Sequence, residues 1–314
     1  MVMAIPFLSS LRTSVYGEIW GIGKSNAIHI YNGHNFFDRF IPIENKNLIT
    51  FFDTITFLKR SGFKRGVLLP HSFRSALMFF LADVGERVGY ARNKRGFMLT
   101  HHVAEGTVLE PTVEHYLKII DTLGGRRTTM DAPSLIITED EEQIFNEKYM
   151  NINKPYIAFI TGAQYGSSKR WPSRNFSELA DMIIKTYGMK VYILPGKGED
   201  ELAHEVYTGS TQKTGIEIKN MNIRELKVCL SRASAVVTND TGPRHISAAL
   251  SVPTVVLMGP MDERYTFYPG MHTHTISANV PCSPCNRKKC DRDHECLNGI
   301  RPETVFTKLE EILG

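Results

Sequence analysis

A chain of 314 residues with 42% hydrophobic and 22% charged side chains can bury cores in two medium-sized domains, and its composition is neither that of a disordered nor of a fibrous protein. Its net charge of +4 is too small to indicate a nucleic-acid partner, and its longest apolar run, residues 76–82, falls far short of the roughly 18 residues a membrane-spanning helix needs. Residues 1–8 are apolar, but no basic residue precedes them, which argues against a secretory signal and makes the cytoplasm the expected compartment.

In the first half, strands are expected at residues 18–20, 66–69 and 87–89, and helices at 48–60, 72–82 and 113–123, where apolar residues recur at helical spacing. GIGKS at residues 21–25 lacks the four-residue spacer of a phosphate loop and is set aside. Residues 59–95 hold nine basic and two acidic side chains. That surplus suits a phosphorylated glycolipid or an anionic membrane face, or is simply a solvated basic face. A segment from Asp131 to Asn153, acidic at residues 139–142, separates this half from the next. The expected domains are therefore residues 1–150 and 151–314.

From Tyr156 onward, apolar strands alternate with amphipathic helices, the pattern of a parallel sheet covered on both faces. Strands are expected at residues 156–160, 191–194, 216–218, 235–237 and 254–258, with helices at 175–187, 199–207, 223–231, after Gly242, and at 302–313. Five strands in this half and an α/β fold of two doubly wound, Rossmann-like domains follow from that order. Cys282, Cys285, Cys290 and Cys296 crowd together as C-x2-C-x4-C-x5-C. In a reducing compartment they are either a structural zinc staple or packed thiols.

Open α/β sheets bind ligands beyond the carboxyl ends of their strands. Three loops of the second half end there. TGAQYGSSKRWP supplies Gly162, Ala163 and Gly166 with Ser167, Ser168 and Lys169 as hydrogen-bond donors, and Lys169 is placed to neutralise a departing diphosphate. LPGKGEDE puts Glu199 at a helix start, where it grips a ribose diol or complements the helix dipole. NDTGPRH joins a strand to a helix start suited to phosphate. There Thr241 is expected to accept from free backbone N–H groups, Gly242 to let a ligand approach, and Pro243 to occupy the first helical position. His245 either faces the phosphates or is a packed histidine.

Taken together, GAQYGSSKRWP, DTGPRHISAAL with PTVVLMGP, PHSFRSAL, VEHYLKIIDTLG and CSPCNRKKCDRDHECL resemble glycosyltransferase family 9, the ADP-heptose:lipopolysaccharide heptosyltransferases, in order along nearly the whole chain. The resemblance implies a GT-B fold and inverting transfer from ADP-heptose to the lipopolysaccharide inner core, with no cofactor needed for catalysis. It implies that Lys169 is catalytic at the diphosphate, that Glu199 binds ribose, and that Gly162, Ala163, Ser167, Ser168, Asp240, Thr241, Gly242 and His245 line the nucleotide-sugar site. Ser72, Arg74, Arg87, Arg92 and Arg95 are its implied acceptor-binding residues, and peripheral contact with the inner face of the membrane would accompany a lipid acceptor. The family's first strand and Gly-Asp loop, whose aspartate is the general base, have no counterpart here. The natural protein is therefore expected to extend upstream of Met1. A relative with another sugar or acceptor, or a catalytically silent nucleotide-sugar binder, are the alternatives.

Overall fold

The computed structural model describes residues 1–44, 47–106, 109–128, 132–152 and 155–314. In chain order the elements are α1 (Ile5–Ser14), β1 (Trp20–Gly23), α2 (Ser25–Ile30), β2 (Arg39–Pro42), α3 (Leu48–Ser61), β3 (Arg65–Leu68), α4 (Phe73–Leu81), β4 (Glu86–Gly89), β5 (His101–His102) and α5 (Thr112–Thr122). There follow α6 (Glu139–Lys148), β6 (Tyr156–Ile160), α7 (Ser173–Tyr187), β7 (Lys190–Ile193), α8 (Asp200–Gly209), β8 (Ile216–Ile218), α9 (Ile223–Arg232), β9 (Ala235–Asn239), α10 (Gly242–Ala249), β10 (Thr254–Met258), β11 (Thr273–Ser277), α11 (Glu295–Asn298) and α12 (Pro302–Leu313). They form two compact units, one of residues 1, 3–133 and 264–268, the other of residues 2, 134–263 and 269–314.

The second unit is built on a six-stranded parallel sheet in the order β11-β10-β9-β6-β7-β8. Its first strand, β6, is central; the chain moves outward through β7 and β8 on one side, then through β9, β10 and β11 on the other. The loops leaving β6 and β9 therefore diverge to opposite faces and open a crevice at their carboxyl ends. Every residue of β6, β9 and β10 is buried, which is why YIAFI and TVVLM are unbroken runs rather than alternating ones. The sixth strand corrects the expected five. β11 is an edge strand whose THTIS sequence has no buried residue, so it carries no apolar signal.

The acidic stretch at residues 139–142 is the first turn of α6. Thr138 Oγ1 accepts from Glu141 N–H (3.4 Å) and Glu141 Oε2 accepts from Thr138 N–H (3.1 Å), a reciprocal cap. Asp131 and Asn153, the ends of the expected separating segment, lie outside the described residues. Glu141 also meets Lys227 Nζ of α9 at 3.0 Å, with both side chains fully buried. Replacing Glu141 by alanine removes the cap and leaves a buried ammonium without its carboxylate, so stability is expected to fall by about 3–5 kcal/mol in denaturant titrations. The same change at exposed Glu142 should alter it by less than about 0.5 kcal/mol, and equal effects would refute the assignment.

The first unit holds a three-stranded parallel sheet, β3-β4-β5, and a two-stranded parallel pair, β1-β2. α3 packs on α4 through Phe51, Ile55, Leu58, Met78 and Ala82. Neither β2 nor β5 buries a residue, so neither is apparent in the sequence. Among the described residues no helix is long and apolar enough to cross a membrane.

Candidate functional site

The loop after β6 carries Lys169 on a single 3-10 turn, Ser167–Lys169. Two residues on, Trp171 anchors the loop in the core: its backbone N–H donates to Asn239 Oδ1 (3.0 Å) and its indole N–H to Ile300 O (2.9 Å). Asn239, the last residue of β9, also donates from Nδ2 to Thr161 O (2.8 Å). One side chain thus fixes the Lys169 loop against the turn that follows β9.

Across that junction Lys169 Nζ lies 2.5 Å from Asp240 Oδ2, and Arg244 Nη1 lies 2.7 Å from Asp240 Oδ1. All three side chains are at least nine-tenths buried. Burial alone would raise the Asp240 pKa, but the charges of Arg244 and Lys169 outweigh it and hold the carboxyl below its ordinary value. The Glu263 carboxylate also acts on Arg244, although burial keeps the Arg244 pKa below its ordinary value. The cluster sits where α10 begins, and the N-terminal dipole of that helix adds positive potential beside Lys169. Burial, followed by the Arg244 charge, pulls the His245 pKa down to about 3, so its imidazole is neutral near pH 7.

Thr241 departs from expectation. It precedes α10 but makes no capping bond, and among the described residues its buried Oγ1 has no hydrogen-bond partner. Gly242, not Pro243, opens the helix, and the space a Cβ would occupy there is open. A buried hydroxyl without a partner beside open space at a helix start is a place for a ligand oxygen to bind.

Glu199 ends the loop after β7. Its Oε2 accepts from Gly196 N–H (2.9 Å), and a Cβ on Gly162 would stand 1.8 Å from the same oxygen. Gly162 is thus required by the close approach of the carboxylate. Because the clash falls on the mobile end of a side chain, Gly162→Ala should leave the melting temperature nearly unchanged while pushing Glu199 off Gly196. Calorimetry is expected to show ADP binding weakened about tenfold, the loss of roughly one charge-assisted hydrogen bond; unaltered affinity would remove Glu199 from the site.

The 3-10 turn is clamped from outside by residues 286–288. Tyr165 Oη donates to Asn286 O (2.9 Å), Ser168 Oγ donates to Arg287 O (2.6 Å), and Gly166 has no room for a side chain because Lys288 O would lie 2.2 Å from its Cβ. Ser168, expected to donate to a ligand, instead gives its hydroxyl to this clamp. Ser167 is exposed and Ala163 is buried. Cys282, Cys285, Cys290 and Cys296 are free thiols lining a cavity of about 360 Å³ next to Ser168. Among the described residues no group of three or more His, Cys, Asp or Glu, these thiols included, is arranged to hold a metal ion.

In the first unit the expected anion binders have protein partners. Ser72 caps α4, its Oγ accepting from Ser75 N–H (3.2 Å). Arg74 donates to Asn47 O (2.7 Å), and Arg87 donates to Met98 O (2.6 Å). Arg92 forms a bidentate pair with Glu105. Arg95 is fully buried and ties loops together by donating to Tyr90 O (2.8 Å) and Ser72 O (3.3 Å). The structure brings Ser72 and Arg95 to the same loop, whereas Arg74 and Arg87 are bound to other segments. Nearby, His71 Nε2 and His115 Nε2 lie 2.9 Å apart, and burial, then the His71 and Arg92 charges, lower the His115 pKa to about 4.

Sequence reasoning missed Arg244, although it lies in the first turn of α10, four residues after Asp240 and within pairing reach of it. It also missed Asn239, whose role depends on contacts between loops far apart in the chain.

A model of glycosyltransferase family 9 (heptosyltransferase) matches residues 53–295. Lipopolysaccharide heptosyltransferase 2 of Escherichia coli is 27% identical over 270 residues, which cover 82% of this chain and 77% of that protein. Lipopolysaccharide heptosyltransferase 1 of Pseudomonas aeruginosa is 29% identical over 175 residues, 51% of this chain and 48% of that one. Among solved structures, Escherichia coli ADP-heptose lps heptosyltransferase II superposes with a TM-score of 0.84 at 22% identity over 100% of this chain and 95% of that chain. Escherichia coli heptosyltransferase WaaC with ADP-2-deoxy-2-fluoro heptose gives 0.70 at 17% identity, covering 99% and 95%. The chain has the parallel-sheet α/β fold of the GT-B heptosyltransferases, and with its family model matched over well more than half its length it belongs to glycosyltransferase family 9.

Proposed function

We propose that this protein transfers L-glycero-D-manno-heptose from ADP-heptose to the inner core of lipopolysaccharide with inversion at the anomeric carbon. The observation that carries the reading is the buried Lys169–Asp240–Arg244 cluster at the start of α10 and at the carboxyl ends of β6 and β9, beside the unpartnered Thr241 Oγ1. A sugar diphosphate suits the Lys169 ammonium and the amides of that helix start. As an acceptor hydroxyl forms its new bond to the anomeric carbon and passes its proton to solvent water, the bond from that carbon to the diphosphate oxygen breaks and ADP leaves. Lys169 and the free amides of α10 stabilise the charge growing on the leaving oxygen, a role that needs no metal. Glu199 accepts from the ribose hydroxyls, and Thr241 Oγ1 gains a phosphate partner.

On the acceptor side Arg95 contributes a buried guanidinium whose Nη2 has no hydrogen-bond partner among the described residues, beside Ser72. It suits a phosphate or carboxylate on the core saccharide, with Arg74, Arg87 and Arg92 as the remaining cations of that region. Turnover measured with ADP-heptose, ADP-glucose and UDP-glucose against truncated core lipids tests the proposal. The expected result is transfer from ADP-heptose at least tenfold faster than from the others; preference for another donor would overturn it.

A further inference from the structure

We propose that Cys285 and Cys290 are a thiol pair that a small disulfide oxidises to a bridge, which loosens the turn carrying Lys169. Cys285 is exposed, Cys282 and Cys290 are half-buried and Cys296 is buried, all as free thiols around one cavity that Ser168 also lines. Between Cys285 and Cys290 lie the residues that hold the Lys169 turn from outside. Besides the bonds from Tyr165 Oη and Ser168 Oγ, the Ser168 N–H donates to Lys288 O (3.4 Å), and the Tyr165 ring centroid lies 4.8 Å from Lys169 Nζ and 5.7 Å from Lys288 Nζ. Asn286 N–H donates to Pro260 O (2.8 Å), which pins the near end of this segment beside the end of β10. Two free thiols become a bridge only by closing to about 2.05 Å between their sulfurs. The backbone between them has to follow, and it is the carbonyls of residues 286–288 that hold the turn.

Exposure and charge select this pair among the four. Asp291, and after it the charges of Cys285 and Cys290, raise the Arg287 pKa, so both thiols face one guanidinium. Accessible thiols beside a cation are the ones that react as thiolates. Cys296 is the opposite case, since burial, then the Cys282 charge, raises its pKa. Cys285 gives its proton to water, attacks one sulfur of oxidised glutathione and releases one glutathione thiolate. Cys290 gives its proton to water, attacks the Cys285 sulfur of that mixed disulfide and releases the second glutathione thiolate. Two electrons pass from the protein to the small disulfide, and an excess of reduced thiol reverses both steps. The effect on sugar transfer rests on the diphosphate role of Lys169; the bridge and the loosened turn do not.

Treating the reduced full chain with oxidised glutathione tests the proposal. Peptide mapping by mass spectrometry should find a Cys285–Cys290 bridge, and hydrogen exchange at residues 165–169 should become at least tenfold faster. Transfer should fall at least tenfold and return on addition of dithiothreitol, whereas Cys285→Ser and Cys290→Ser should keep the reduced rate under the same oxidant. If the reduced protein transfers no heptose but bridge and exchange behave as described, the donor reading fails and this inference stands. No bridge, a bridge between other cysteines, or a Cys285–Cys290 bridge that leaves exchange at residues 165–169 unaltered would overturn it. So would serine variants that lose activity to the oxidant as the parent does, or protein isolated with a metal ion held by these thiols.

Discussion

Replacing Lys169 by methionine should lower kcat/KM for sugar transfer by about 100- to 1000-fold, the range seen when a positioned electrostatic donor is removed from a transition state. Asp240 would keep Arg244 at 2.7 Å, so the carboxylate stays paired and the variant should fold. What changes is the charge of the cluster, which loses one positive unit. The leaving diphosphate then departs into a site that favours it less. Steady-state transfer assays on Lys169→Met, with thermal melting beside them, check the prediction; wild-type turnover from a folded variant would exclude the role. Lys169→Arg keeps the charge on a longer, planar group and should recover part of the rate.

The second large effect is on stability. Asp240→Asn removes the carboxylate that Lys169 and Arg244 share, whose side chains are 10% and 6% exposed. Taking that charge from between two buried cations should lower unfolding free energy by about 3–5 kcal/mol. The loss is expected to be conditional on the ligand. A bound diphosphate would supply the missing negative charge, so ADP should raise the melting temperature of Asp240→Asn more than that of the parent, because stabilisation grows with the tightness of binding to the folded state. Melting scans with and without ADP give both numbers. An unliganded variant as stable as the parent would show that the cluster is not held by Asp240.

The parallel sheet of the second unit was legible because its central strands are buried on both faces and must be apolar throughout. Residues 156–160 and 254–258 coincide with β6 and β10 for that reason. β11 was not legible, since an edge strand in partial contact with solvent has no such requirement. Nor was α6, whose acidic first turn reads as a solvated segment until Lys227 is brought beside Glu141. In the site, position along the chain was enough to put Lys169, Glu199 and Asp240 on loops at one sheet edge. Their partners were not. That Ser168 belongs to Arg287 O, and that Trp171 is bound by Asn239 and Ile300, depends on contacts separated by 68 to 129 residues. The first unit was harder to read because an arginine bound to a backbone carbonyl, such as Arg87 on Met98 O, looks in sequence like one facing an anion.

Calorimetric titration of ADP and AMP into the protein and into Lys169→Met tests the central claim most directly, since the two nucleotides differ by the phosphate assigned to Lys169 and α10. ADP should bind the parent at least tenfold more tightly than AMP, and the variant should lose most of that difference. Equal affinities for ADP and AMP in the parent, or no affinity for either, would contradict a diphosphate site built on Lys169, Asp240 and Arg244.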